Sequence, residues 1–334
     1  MNRTQYEYHP VVGYKFIPNL KSRVQHEAGG YFVKTNSHGF RSDREYLPAR
    51  TGRRRVLVFG DSFTAGDGVS NKHRYTELLE AGLTDTEVYN FGLPGTGTDQ
   101  QYLLYREYAP QFEHDLLVIA VMVENIRRVN AHYRYYLDAE GEMKVWQKPY
   151  FEATAEGLQL RNTPVNPQPS PISALDAGEK AHIDTGGRHE PLRKLIRELG
   201  LKDFMQKLVR FQPLPEYNRS SHPHWRLLKA VLERWIAESP VPVLLVPIPL
   251  FHHVERTASA KAYQARFSEL AGMCRLHDPL PDLLRYDAAT RRSFRFERDV
   301  HPTQAGHRAL ADSLLPAFRA LLGTPQHRHG SDPH

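Results

Sequence analysis

A single cysteine, Cys274, stands in a chain of 334 residues, so no internal disulfide can staple it. No apolar run approaches the roughly 20 residues that span a bilayer. The longest are Leu116 to Val123 and the proline-interrupted Val241 to Phe251. The start, Met1 to Pro10, has no apolar signal core, and together these absences set the expectation of a cytoplasmic protein without a membrane span. An excess of one charge is also missing. Lys and Arg number 44 against 38 Asp and Glu, a net of +6, and they are interspersed, which argues against a nucleic-acid partner. The densest basic cluster, Arg53 to Arg55, precedes an apolar strand and reads as a solvated strand entrance.

What the sequence does have is alternation. Val56 to Phe59, Val88 to Phe91, Leu116 to Val123 and Val241 to Pro249 are short apolar runs suited to strands buried on both faces. Helix-period segments follow at 71–83, 98–111, 223–238 and 258–276, and 302–322 closes the core. The pattern predicts an α/β domain with a doubly wound parallel sheet over 53–322. Residues 1–52 read instead as a β-rich appendage, with Gly29-Gly30 before Tyr31 to Lys34 and turn chemistry at Asn36 to Gly39. The connection after Val123 is far longer than a βαβ crossover requires, so an insertion is expected at about 127–222. Within it, Asp138 to Gly141 and Glu156-Gly157 suggest hairpin turns, and Pro164 to Pro171 a linker. Its aromatics make it lid-like: Tyr133, Tyr135 and Trp146 could line a substrate cleft or equally cover a sheet edge. Residues 323–334 read as a disordered tail.

In open α/β sheets, ligands sit at the carboxyl ends of the strands, so the residues just past each run carry the functional reading. The first run leads into Gly60-Asp61-Ser62, which puts a serine where the chain leaves the sheet; a plain turn or helix cap uses the same residues. The second leads into Asn90 to Thr98, glycine-rich enough for backbone N–H groups to approach a reacting atom. It lacks the Gly-Lys-Ser/Thr of a phosphate loop. The third places Asn125 at the same end as an amide donor. Near the C-terminus, Asp299 and His301 are two apart before Pro302, so in an extended segment they share a face. A carboxylate there can fix the imidazole tautomer while the other nitrogen accepts a serine proton. His307, inside the helix that follows, reads as structural.

The order Ser, Gly, Asn, Asp/His on successive strand ends resembles the SGNH or GDSL hydrolase family of esterases, lipases and carbohydrate deacetylases, over 56–126 and about 241–322. The resemblance implies a three-layer, flavodoxin-like sheet. It also implies Ser62 as nucleophile, an oxyanion hole of Ser62, Gly95 and Asn125, and His301 with Asp299 as base and orienter. Two departures stand out: Val123 and Ile126 flank Glu124-Asn125 where the family has Gly-x-Asn-Asp, and Asp299 lies two rather than three residues before His301. Glu297 is the alternative orienter, and Asp61 joins Tyr133, Tyr135 and Trp146 as a possible substrate-lining residue. The run Asn36 to Arg41 is similar to a segment preceding the core in larger bacterial members.

The expected function is a serine esterase or deacylase that removes a short acyl group from a carbohydrate-like or small-metabolite ester, without a cofactor. Its base should release the serine for attack near an ordinary imidazole pKa of about 6.5. An O-acyltransferase using the same acyl-serine, and a non-catalytic carbohydrate-binding protein on the same scaffold, remain alternatives. A metal enzyme is disfavoured, because the pairs His222/His224 and His252/His253 lack the helix-face spacing of zinc motifs. Oligomeric state is not legible.

Overall fold

The computed structural model describes residues 5–137, 143–184 and 213–323. The chain begins with two antiparallel hairpins, β1 (Tyr6–His9) with β2 (Gly13–Phe16) and β3 (Lys21–Val24) with β4 (Tyr31–Lys34). Val12, Tyr14, Phe16, Val33, Phe40 and Tyr46 from this region share one buried cluster with the sheet that follows. Then come β5 (Arg54–Phe59), β6 (Thr86–Asn90) and β7 (Leu116–Met122), with β5 pairing in parallel with both of the others.

The long connection after β7 builds a small sheet of its own. In it β8 (Tyr133–Leu137) and β9 (Met143–Gln147) form a hairpin, flanked by β12 (Ser170–Pro171) and β13 (Ile183–Asp184). A second hairpin pairs β10 (Tyr150–Thr154) with β11 (Gly157–Arg161). The expected turn at Asp138 to Gly141, the 185–212 part of the insertion and the tail beyond Gly323 lie outside the described residues.

Two later strands, β14 (Val243–Ile248) and β15 (Arg275–Leu276), complete a five-stranded parallel sheet in the order β15-β14-β7-β5-β6. Strand alternation divides the core into two layers. Val56, Val58, Val118, Ala120, Leu244 and Val246 face the helices Tyr75–Ala81 and Gln304–Leu322 through Leu79, Leu310, Leu314 and Phe318. Leu57, Phe59, Leu117, Ile119 and Leu245 face Thr98–Tyr108 and Pro223–Glu238 through Tyr102, Leu228, Leu232 and Trp235. Each fully buried aliphatic or aromatic side chain contributes about 1.5–3 kcal/mol before entropy is charged, which is why the strands read as unbroken apolar runs. This is the doubly wound order with its switch point between β5 and β7, and the crevice lies beyond their carboxyl ends.

Two expectations need correcting. The helix expected over 258–276 ends at Phe267; a single 3-10 turn follows, and Arg275–Leu276 pairs with β14 as an edge strand. Arg55 is not solvated at the strand entrance. It is fully buried, ion-paired with Glu87 at 3.1 Å and donating to the carbonyls of Pro48, Ala49 and Glu113, so it ties the incoming segment to the sheet. The histidine pairs have local duties: His222 accepts from the His224 N–H, and His253 from the Leu250 N–H, both at 3.2 Å.

Candidate active site

The turn after β5 is built by hydrogen bonds that its own sequence supplies. Asp61, fully buried, caps the short helix Ser62–Ala65 by accepting the Phe63 N–H at 3.0 Å. As the first helical residue, Ser62 has a backbone N–H with no intrahelical partner, and it finds no other acceptor among the described residues. Asn90, at the end of β6, donates to the Thr64 carbonyl and Thr76 hydroxyl and accepts from the Gly92 N–H, stapling the second loop to this helix. Gly92 permits that approach, since a Cβ there would stand 2.3 Å from the Ala65 nitrogen.

Gly95 adopts φ +74°, a left-handed conformation that favours glycine, and a side chain would collide with the Arg134 guanidinium lying over it. Arg134 donates to the Gly95 carbonyl at 2.9 Å and to the Tyr14 hydroxyl at 2.6 Å, while the Gly95 N–H has no acceptor among the described residues. Beyond β7, Asn125 is fully buried. Its Oδ1 accepts from Arg128 at 3.1 Å, whereas its Nδ2 is buried without a hydrogen-bond partner among the described residues. An unmatched buried amide donor is costly unless something is to occupy the space before it.

One atom shows that these loops meet. Nη1 of Arg128 lies 3.1 Å from Asp61 Oδ2, 3.1 Å from Asn125 Oδ1 and 3.5 Å from the Thr96 carbonyl. It therefore gathers the residue before Ser62, the residue after Gly95 and Asn125 itself. Sequence reasoning missed Arg128; three residues past Asn125 on one helical turn was the signal available.

The acid–base pair arrives from the other side. Asp299 Oδ1 accepts both the His301 backbone N–H at 3.0 Å and its ring Nδ1–H at 2.5 Å. The His301 ring packs 5.5 Å, centroid to centroid, from Phe63, the neighbour of Ser62. No hydrogen bond joins the Ser62 hydroxyl to His301 in this structure. Burial alone would pull the imidazole down, but the Asp299 hydrogen bond and the carboxylates of Asp67, Asp299 and Asp61 hold it above its ordinary value. Asp299 is moved the opposite way: burial opposes its ionisation, yet the hydrogen bonds and charge of His301 and a bond from His26 keep it well below the usual carboxylate range.

The run Asn36 to Arg41 braces this centre from beneath. Buried Arg41 donates to the Gly66 and Val69 carbonyls at 2.8 and 2.7 Å and to Asn71 Oδ1 at 3.1 Å, fixing the loop that leaves the Ser62 helix. Of the expected substrate-lining residues, Trp146 borders a cavity beside Gly95. Tyr133 and Tyr135 do not; Tyr133 donates to Glu179 and both pack with Val145 and Leu175 in the insertion's own core. Asp61 is engaged by the helix cap and Arg128. Glu297 participates through its carbonyl, toward Arg295 at 3.5 Å.

Among the described residues, no helix is long and apolar enough to cross a membrane, and no group of three or more His, Cys, Asp or Glu could hold a metal ion. Residues 58–309 match the model of the GDSL-like lipase/acylhydrolase family. Solved structures similar to the chain include a member of the lipolytic protein G-D-S-L family from Veillonella parvula DSM 2008, 12% identical, covering 79% of this chain and 98% of that one at a TM-score of 0.42. The lipase/acylhydrolase from Enterococcus faecalis is 14% identical, covering 80% and 96% at 0.42. An acetyl xylan esterase is 16% identical, covering 79% and 98% at 0.42. No curated protein sequence matches the chain.

Proposed function

The chain belongs to the GDSL-like lipase/acylhydrolase family and is a hydrolase of ester bonds, and from that premise we propose that it is a serine esterase removing a short acyl group from a carbohydrate-like or small-metabolite ester. Ser62 Oγ attacks the ester carbonyl as its proton passes to His301 Nε2, whose Nδ1–H is held by Asp299. The tetrahedral oxyanion accepts from the Ser62 and Gly95 N–H groups and from Asn125 Nδ2. Collapse breaks the bond to the alkoxy group, and His301 returns the proton to the departing alcohol. Water then attacks the acyl-serine, giving its proton to His301, and the acid leaves as Ser62 is restored. The Ser62–His301 contact must shorten for the first step; catalytic hydrogen bonds are often long until substrate binds.

The observation that carries this reading is the buried, unpartnered Nδ2 of Asn125, aimed by the Arg128 bond to its Oδ1. Asn125→Ala should lower kcat by roughly a hundredfold to a thousandfold, the scale of one oxyanion donor. A steady-state assay showing unchanged kcat and a raised KM would make Asn125 a binding group instead.

Support for the alcohol moiety comes from the cavity beside Gly95, where Tyr6, Tyr8, Tyr14 and Trp146 share the lining with Arg134, whose guanidinium stacks over the Tyr14 ring. Flat aromatic faces next to a fixed multiple donor suit a hydroxylated ring better than an alkyl chain. A panel of acetylated sugars and of short- and long-chain aryl esters tests this. Highest kcat/KM is expected on the acetyl esters with free acetate as product; preference for long acyl chains would overturn the substrate class, and acetylated acceptor in place of acetate would indicate acyl transfer.

A further inference from the structure

Asp299 has a second imidazole on it. His26, on the turn between β3 and β4, places Nε2 3.1 Å from Asp299 Oδ2, the oxygen that His301 does not use. The two residues are 273 positions apart. The His26 side chain is 10% exposed, with its ring edge-on to Phe296 at 4.4 Å and to Tyr31 at 5.8 Å. Its Nδ1 faces the Ala28 N–H at 3.4 Å and so acts as acceptor, which leaves the ring proton on Nε2, pointing at the carboxylate. The next residue, Glu27, accepts the backbone N–H groups of Arg298 and Asp299, each at 3.0 Å. Two adjacent side chains of the N-terminal region thus hold the loop that carries Asp299: one fixes its backbone, the other its free carboxylate oxygen.

We infer that His26 is a positioning residue of the active centre, an imidazole N–H donor that locks the plane of the Asp299 carboxylate so that Oδ1 meets the His301 ring in line. The inference rests on the assignment of Ser62, Asp299 and His301 given above. In metal sites, carboxylate–imidazole partners fix ring orientation and tautomer, and their loss typically costs ten- to a hundredfold in function; the same orienting role here sets the lower end of that range as the expectation. Mere docking of the turn would stabilise the fold without acting on the base.

The two roles differ in pH behaviour. His301 is faced by Asp299 on its own loop and by Asp61 and Asp67 from the Ser62 side, and Asp299 by His26, Glu27, Tyr31 and Asp67. Removing the His26 donor leaves more negative charge on Asp299 for the His301 imidazolium to meet. The protonated base is then favoured, and the acid limb of kcat/KM moves to higher pH.

The experiment compares wild type, His26→Ala, His26→Gln and Ser62→Ala in a pH series on an activated acetyl ester. In His26→Ala, kcat should fall about tenfold with KM within about twofold, and the acid limb should rise by roughly half a unit. His26→Gln, whose amide reaches the Nε2 position, should recover most of both. Wild-type kcat and acid limb in His26→Ala, or equal losses in both variants with the limb unmoved, would overturn the inference. Should His26→Ala not fold, the histidine 15N spectrum of wild type decides: an Nε2–H tautomer for the signal absent from His26→Gln supports it, and an Nδ1–H tautomer overturns it. Failure of the underlying assignment looks different, since wild type and Ser62→Ala would then turn over ester equally.

Discussion

Ser62→Ala is expected to reduce ester turnover by roughly a million-fold, the order lost when a nucleophile is removed from an intact catalytic constellation, while the protein unfolds at the same temperature as wild type. The second half of that expectation follows from what the side chain does not do. The Ser62 hydroxyl makes no hydrogen bond to another described residue, and the bonds that shape its turn belong to other groups. Asp61 caps the helix, the Gly66 N–H closes it on the Ser62 carbonyl at 2.9 Å, and Arg41 holds the Gly66 carbonyl. Alanine keeps the backbone of all three. Circular dichroism and a thermal melt establish the fold, and an organophosphonate probe that labels wild type but not the variant locates the nucleophile. Substantial turnover by a folded variant would move the nucleophile elsewhere.

How far the sequence foretold this site depends on the range of the contacts. β5, β7 and β14 are buried on both faces, so their apolar runs and the residues just past them, Ser62 and Asn125, could be read locally. The edge strand Arg275–Leu276 is two residues long with an exposed arginine and carries no such signal. Buried Phe267 and Leu270 kept a helical period past the point where the helix tightens and ends. His26 acts through a partner 273 positions away, so neither its spacing nor its neighbours reveal it. The only local signal for Arg128 is its place one helical turn past Asn125, since its bond to Asp61 spans 67 positions. Arg55 misled for a related reason: three consecutive arginines look solvated until Glu87 and three backbone carbonyls are brought to one of them. The insertion's aromatics read equally as cleft lining or as cover for a sheet edge, because the sequence could not show that Tyr133 and Tyr135 had a small core of their own to fill.

Asp299→Asn should cost about ten-thousandfold in kcat, because an amide presented to His301 Nδ1 can hold the wrong tautomer while leaving the ring in place. Glu297→Gln should cost little, since among the described residues Glu297 is engaged through a backbone carbonyl that the substitution preserves. The pH profile adds a sign that geometry alone would not give. In wild type, His301 is held above its ordinary value, so the acid limb of kcat/KM lies above the unperturbed imidazole pKa of about 6.5, and activity rises with pH through it. Asparagine removes both the hydrogen bond and the charge that Asp299 supplies, leaving Asp67 and Asp61 against the opposing effect of burial. The limb must then move to lower pH, the reverse of the shift expected when His26 is lost, because one change removes the carboxylate charge and the other concentrates it. A deficit that is smaller at pH 5 than at pH 8 is therefore the expected result for Asp299→Asn. An unmoved limb, or equal losses in the Asp299 and Glu297 variants, would transfer the orientation of the base to another carboxylate, with Asp67, whose charge also acts on His301, the first to test.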